Sequence, residues 1–286
     1  MPLFTRRPAA WLSTCLLLPL AALAQPTTEA APTPVAAVEP VAGNGLTYAL
    51  GLAVIDAPTY AGGAGRELKL RPLWSVRYGR FRLSGARSSG LLGAPTAERH
   101  SGASADLIDS DRWKLNLGLR FDSGRQPGDD PALAGLPEIR STLRGRLNGG
   151  VNLGGGFSSS LSYSADLLGR DGGGQIGWGL GYGWAPWPQA RASVGVGATW
   201  ADKRHMQTYF GIAPDVALRT GRTAYMPGAG LLDAHVGAAL QVPLGSRWTL
   251  VSGLALAQLQ GGAAGSPLTR QAFGATATIA LAWRSR

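Results

Sequence analysis

A chain of 286 residues with 42 glycines, 45% hydrophobic residues and only 15% charged ones can hold one large all-β domain or two smaller domains. Its charged fraction lies below the roughly one quarter typical of soluble domains, and its single cysteine, Cys15, sits in an apolar N-terminal stretch. Cleavage after that stretch leaves no thiol, which excludes a disulfide framework and a cysteine-based metal site. The formal charge of +10 would fit nucleic acid, but an export segment and alternating strands argue against such a partner.

Residues 1–24 read as a signal peptide. Arg6 and Arg7 form a basic start, Ala9 to Leu20 an apolar core, and Ala22-Leu23-Ala24 a small-residue cleavage site. Leu12-Ser13-Thr14-Cys15 resembles a lipoprotein processing box, yet cleavage there would leave almost no apolar core upstream. Beyond this segment there is no apolar run of about 18 residues, so a membrane would have to be crossed by strands. Residues 25–44 are rich in Pro and Ala and lack periodicity. They read as a periplasmic linker, partly polyproline II, able to reach about 60 Å at roughly 3.1 Å per residue.

From residue 45 to residue 286 the chain alternates. Leu46, Tyr48, Leu50, Leu52 and Val54 share one parity, and Leu68, Leu70, Trp74 and Val76 repeat it opposite Lys69, Arg71, Ser75 and Arg77. Tyr78-Gly79-Arg80 turns tightly into Phe81 and Leu83. A weak strand covers about Ala97 to Leu107. Trp113 to Phe121 alternate with Lys114, Asn116, Gly118 and Arg120. After a Pro-rich loop, Ile139, Leu143, Leu147, Val151 and Leu153 oppose Arg140, Thr142, Arg144, Arg146 and Asn148. Phe157, Leu161, Tyr163 and Leu167 oppose a row of serines and Asp166.

The clearest hairpin follows. Ile176, Trp178, Leu180, Tyr182 and Trp184 face away from Gln175 and a row of glycines, and after a Pro-rich turn Ala192 to Trp200 oppose Arg191, Ser193, Gly195, Gly197 and Thr199. A long loop (202–229) precedes a strand in which Leu232, Ala234, Val236 and Ala238 oppose Asp233 and His235. Trp248 to Leu256, a loop over 260–270, and Phe273 to Trp283 complete the series. A soluble sandwich gives its polar face to water; here that face is small, and Tyr182, Trp184 and Trp200 sit near strand ends. Long and tight connections alternate. This predicts an antiparallel transmembrane β-barrel of about 12 strands, with short periplasmic turns and longer extracellular loops, in a Gram-negative-type outer membrane.

Pro58-Thr59-Tyr60-Ala61-Gly62, Pro72, Tyr78-Gly79-Arg80-Phe81, Tyr209-Phe210-Gly211, the Thr220 to Tyr225 loop, Gly228-Ala229-Gly230 and Ser266-Pro267 resemble landmarks of the MltA-interacting protein (MipA/OmpV) family of outer-membrane proteins. The resemblance runs from about 45 to 283. It implies a barrel, no catalytic residues, and a scaffolding link to murein-synthesising and murein-cleaving enzymes. One departure is the ending Arg284-Ser285-Arg286 after Trp283, where a terminal aromatic is common in such strands.

Chemistry-bearing groups are few. His100, His205 and His235 show no metal-ligand spacing, although Asp202 and Asp233 lie near two of them in sequence. Ser266, Asp233 and His235 could be named as a hydrolase set, but there is no nucleophile elbow. The glycine runs at 154–156 and 172–174 open no helix and so cradle no phosphate. No cofactor is implied. The informative set is a basic cluster on the parity opposite the lipid ladder: Lys69, Arg71, Arg77, Arg82, Lys114, Arg120, Arg140, Arg144, Arg146 and Arg191. Either these charges are paired inside the lumen or bound to lipopolysaccharide phosphates at the rim, or they favour anions in a low-dielectric passage. Three functions follow: a non-enzymatic scaffold for periplasmic murein enzymes in an envelope of lipid and lipopolysaccharide, a pore for small anionic solutes, and a barrel hydrolase.

Overall fold

The computed structural model describes residues 46–85 and 102–285. The signal-peptide and linker segments, and the start of the weak strand at Ala97, lie outside the described residues. Twelve strands follow one another: β1 (Leu46–Pro58), β2 (Arg66–Tyr78), β3 (Phe81–Ser84), β4 (Gly102–Asp109), β5 (Trp113–Asp122), β6 (Thr142–Gly154), β7 (Phe157–Asp166), β8 (Gly174–Trp184), β9 (Arg191–Ala201), β10 (Gly230–Pro243), β11 (Trp248–Leu259) and β12 (Phe273–Arg284). Each pairs with its sequence neighbours, and β12 returns to β1, so the sheet is a closed barrel. Every contact in the ladder is antiparallel.

Small residues line the inner side of the closing seam. Ala53 lies opposite Ala280, and Gly51 opposite Ala282. A Cβ on Gly51 would stand 2.9 Å from Ala282 Cα, so no side chain fits there. Alternation in the other strands sorts side chains between lipid and lumen. In β2, Leu68 (72% exposed) and Leu70 (64%) point out while Lys69 and Arg71 turn in. In β1 the partner face is Ala49 and Ala53, the latter only 1% exposed. The outward band is therefore apolar and continuous, the condition for contact with lipid.

Aromatic side chains gather at both ends of this band, with Phe121, Trp200 and Phe273 exposed at the long-loop ends of their strands. Tyr48, Tyr78, Phe81, Trp113, Phe157, Tyr182, Trp184, Trp248 and Trp283 all lie near the short-turn ends of their strands. Tyr48 and Trp283 approach to 5.7 Å between ring centroids, and Phe157 and Tyr182 to 4.8 Å. Rings with an apolar body and a polar edge prefer the headgroup zone, so the two groups mark the two interfaces, and the short turns mark the periplasmic one. Trp283 carries the Arg247 guanidinium at 6.0 Å from its ring. Past it, Ser285 keeps pairing with β1: its N–H donates to Tyr48 O (2.8 Å) and its Oγ accepts from Tyr48 N (3.0 Å). The tail after Trp283 thus extends the seam.

The long connections contain structure that periodicity does not reveal. The 123–141 loop carries two 3-10 turns, Pro127–Asp129 and Pro131–Leu133. The 202–229 loop carries α1 (Lys203–Phe210) and α2 (Pro214–Thr220), and the last loop a short helix, α3 (Gly261–Ala264). No helix among the described residues is long and apolar enough to cross a membrane.

Three strand expectations change in detail. β4 runs on to Asp109, with a register shift between Asp106 and Ile108. The strand expected from Ile139 begins at Thr142, because Ile139 is instead bridged to Arg125 and buried under the loops. Leu232 does not face lipid: a shift between Leu231 and Asp233 turns it into a loop cluster with Met206 and Phe210.

The facing pattern makes a stability prediction. Leu254 is exposed at the middle of β11, whereas its neighbour Ala255 lies on the inner face beside Gly237 and Thr276. Leu254→Arg should lower folding stability in lipid vesicles by about 2–4 kcal/mol, and Ala255→Arg by a small fraction of that. Urea titrations giving the opposite order would refute the assigned faces.

Candidate functional site

The inner wall has two unlike halves. On β10, β11, β12, β1 and β2 it is small and apolar, with Ala239, Val251, Ala280 and Ala53 packed with Ile55 and Leu73. On β2 to β7 it is polar. Arg77 lies 3.5 Å from Asp106 and 3.7 Å from Asp109, Arg82 lies 4.0 Å from Asp106, and Lys114 3.7 Å from Asp109. Asn116 donates to Asp106 (3.0 Å), Asn148 to Asn116 (3.4 Å), Arg146 to Asn148 (2.9 Å) and to Ser162 (3.3 Å). A single belt of ion pairs and hydrogen bonds therefore crosses six strands. Because each member uses its neighbours' lone pairs or protons, the belt fixes side-chain positions as well as charge.

Eight of the ten basic residues expected in the lumen lie on inner-face strand positions in this half. Lys69 pairs with Glu67 at 2.6 Å. Arg144 is held by the carbonyls of Gly172 (2.9 Å) and Gly173 (3.1 Å). Arg71 and Arg120 make no hydrogen bond or ion pair to another described residue. Two residues fall elsewhere. Arg140 stands in the outer loop ahead of β6, exposed, because Ile139 has left the strand; Arg191 opens β9, exposed at the short-turn rim. Asp106 and Asp109, which neutralise part of the cluster, were not legible in the sequence: the register shift beside them breaks the alternation that exposed the other polar positions.

Above the wall the long loops lock together. Tyr60 donates to Leu268 O (2.8 Å), Thr59 to Asp130 (2.8 Å), Arg222 to Ala134 O (3.1 Å), Thr208 to Asp171 O (2.7 Å), and Ser266 to Phe210 O (2.6 Å). Each bond joins two different loops. Leu133, Leu136, Ile212, Val216, Ala217 and Leu268 form a buried cluster among them, and Met206, Phe210, Leu259 and Ala263 a second. The cap is tied to both sides of the mouth through α1. At its start Asp202 accepts from His205 N (2.7 Å), and at its end Tyr209 donates to Asp122 of β5 (3.3 Å) and receives Arg125 Nη1 on its carbonyl (2.8 Å). The spacing Met206, Tyr209, Phe210 behind an Asp cap was the readable sign of this helix.

His205 is central to the cap. Its Nδ1 faces Gly172 O (2.9 Å) and its Nε2 faces the Gln175 amide nitrogen (3.0 Å). A carbonyl can only accept and an amide NH2 can only donate, so the network selects the neutral ring with the proton on Nδ1. The ring stacks on Tyr209 at 4.4 Å. Burial pushes the imidazole below its ordinary value, against the Gly172 hydrogen bond, which raises it. Burial, with Asp122 next, pushes the Tyr209 phenol up to about 12.

No catalytic set is assembled from the named side chains. Ser266 is buried in the cap, where its Oγ also accepts from Leu268 N (3.1 Å). His235 and Asp233 pair on β10 at 2.7 Å, and the ring occupies the space left by Gly197, where a Cβ would meet its Nε2 at 2.5 Å. Among the described residues no group of three or more His, Cys, Asp or Glu could hold a metal ion. His100 lies outside the described residues.

A closed antiparallel barrel with an apolar outer band, an aromatic girdle, short turns at one end and long loops at the other is a transmembrane barrel of the outer-membrane type. The model of the family described as MltA-interacting protein MipA matches residues 50–285. The chain belongs to that family. Among curated proteins no sequence match is found. Solved structures that align with it include OmpT of Vibrio cholerae (6% identity, 84% of this chain and 97% of that one, TM-score 0.39). The NanC porin (8%, 81% and 98%, TM-score 0.43) and the channel DcaP of Acinetobacter baumannii (9%, 88% and 100%, TM-score 0.40) also align. At such values the likeness says nothing about a shared solute.

The buried neutral histidine makes the cap sensitive to acid. With its pKa depressed in the closed cap, the opened form binds more protons as pH falls below about 6.5. The His205 contribution to closure is thus fully present above that pH and is lost as pH falls. Proteolysis within residues 202–211 should be faster at pH 5 than at pH 7.5, and His205→Gln should flatten the difference. An unchanged pH dependence in the variant would show that another group controls the cap.

Proposed function

We propose that this chain is a non-enzymatic envelope barrel that holds murein-processing enzymes at the periplasmic face of the outer membrane. The observation that carries the reading is the interlocked cap. A barrel whose described outer loops are hydrogen-bonded and packed together is a poor general passage, which leaves its periplasmic end as the working surface. The family description, which names an interaction with MltA, is in keeping with this. So is the Pro/Ala-rich segment 25–44, which lies outside the described residues but enters β1 at the short-turn end. As a tether it would raise a partner's local concentration to about the millimolar range.

A second reading is a pore for small anions. Arg71 and Arg120 favour it, since both face the lumen with no acidic partner among the described residues. Lipopolysaccharide contact at the rim is compatible with either reading.

The test is co-purification from cross-linked envelopes, comparing the full chain with a form lacking Pro26 to Val41. The deletion touches no described strand, so heat-modifiability on gels should persist. Recovery of murein enzymes should fall about tenfold or more if the segment tethers them. Equal recovery would reduce the segment to a spacer. Absence of such enzymes from both forms, together with Cl⁻-selective conductance of the reconstituted protein, would replace the scaffold with the pore.

A further inference from the structure

The cap contains a cavity that neither function uses. It opens between the 123–141 loop, the 167–173 loop and the segment from α1 to α2, and has a volume of about 330 Å³, at the small end of the range for small-molecule sites. Three arginines line it: Arg125, Arg140 and Arg170. Leu136, Ile212 and Val216, each nearly inaccessible, add an apolar floor to the lining.

Some arginines of the chain meet acids, as Arg66 meets Asp56 at 2.5 Å and Arg77 meets Asp106 at 3.5 Å; no such ion pair joins these three to a described acid. Among the described residues the Arg125 side chain donates only to Tyr209 O (2.8 Å) and that of Arg170 only to Ser141 O. Arg140 makes no bond to another described residue. The two carboxylates on the cavity wall are already engaged: Glu138 accepts from Gln126 (2.5 Å), and Asp171 lies 3.8 Å from Arg204. The Arg125 backbone is bridged to Ile139 in both directions (3.0 and 2.9 Å), which fixes the root of its side chain at the cavity. Burial pulls its pKa down, with Tyr209, Tyr60 and Asp129 acting weakly the other way. A half-buried guanidinium that keeps most of its N–H groups uncommitted and has no carboxylate in contact is costly unless an anion supplies the acceptors.

We propose that this cavity binds a small organic phosphomonoester, with the oxyanion forked by Arg125, Arg140 and Arg170 and a compact apolar body against Leu136, Ile212 and Val216. The planar donor fork of arginine matches phosphate oxygens two at a time, and three such forks suit a dianion better than a single carboxylate. The apolar floor selects against the bare ion. The phosphate can come from a soluble ester or from a phosphorylated lipid headgroup of the outer leaflet, since the cavity opens on the long-loop side.

The experiment is calorimetric titration of the full chain, folded in lipopolysaccharide-free detergent, with phenyl phosphate, inorganic phosphate and benzyl alcohol. Phenyl phosphate should bind one to one, inorganic phosphate more weakly, and benzyl alcohol not at all. Arg140→Gln is the decisive variant, because Arg140 touches no described partner and its loss leaves the cap bonds intact. It should weaken phenyl phosphate roughly 10- to 100-fold, as should Arg170→Gln, with heat-modifiability unchanged. Repeating the titration in vesicles with and without phosphorylated lipopolysaccharide identifies the source: competition assigns the site to a headgroup, and no competition to a soluble ester. Equal binding of benzyl alcohol, no binding of phenyl phosphate, or full affinity in Arg140→Gln would overturn the proposal.

Discussion

Inside a bilayer no water is available to a backbone N–H or C=O, so every such group in a spanning strand must find a partner strand. The rest of this structure depends on that constraint. It forces β12 back onto β1, and at that seam Gly51 leaves room for the close approach of Leu281 O and Ala282. Closure in turn gives every residue one of two addresses. Most large apolar and aromatic strand side chains go to lipid, and what alternates with them, Val251 and Leu73 included, is confined to the lumen.

What fills the lumen then decides what the barrel can be. The chain builds an apolar half from alanine and valine and a polar half in which Arg77, Arg82, Asp106, Asn116, Asn148 and Arg146 are joined in one belt. Pairing acids with these arginines offsets much of the cost of enclosing them. Arg71 and Arg120 remain outside the belt and keep the interior basic. The cap places a second layer over this arrangement. Its cohesion comes from buried Leu, Ile and Phe side chains and from donors such as Tyr60 and Tyr209 that reach across loops. A neutral, buried His205 couples that layer to the strand ends through Gly172 and Gln175.

The barrel was legible in the sequence because period-two alternation is local. Leu117, Leu119 and Phe121 announce their face without knowledge of any partner strand. The same reasoning failed where local pattern and tertiary pairing disagree. Ile139 continues the parity of Leu143, yet its backbone pairs with Arg125, so Arg140 leaves the lumen for the outer loops. Leu232 carries the parity of Val236, but a shift in register hands it to the cap. The cap itself was invisible, since contacts such as Tyr60 to Leu268 join residues far apart in sequence and leave no period. Only the α1 pattern behind Asp202 carried a local sign.

The central claim is that the interlocked loops obstruct the outer mouth of the barrel. Gly118 faces that lumen in the middle of β5, and a Cβ there would meet nothing closer than 3.5 Å. Gly118→Cys, in a Cys15→Ser background, therefore places one thiol beneath the cap without disturbing it. In intact cells a bulky membrane-impermeant maleimide added from outside should leave this thiol unlabelled, while the exposed loop variant Gly128→Cys reacts readily. Labelling of the lumen thiol at the rate of the loop thiol would contradict an obstructed mouth.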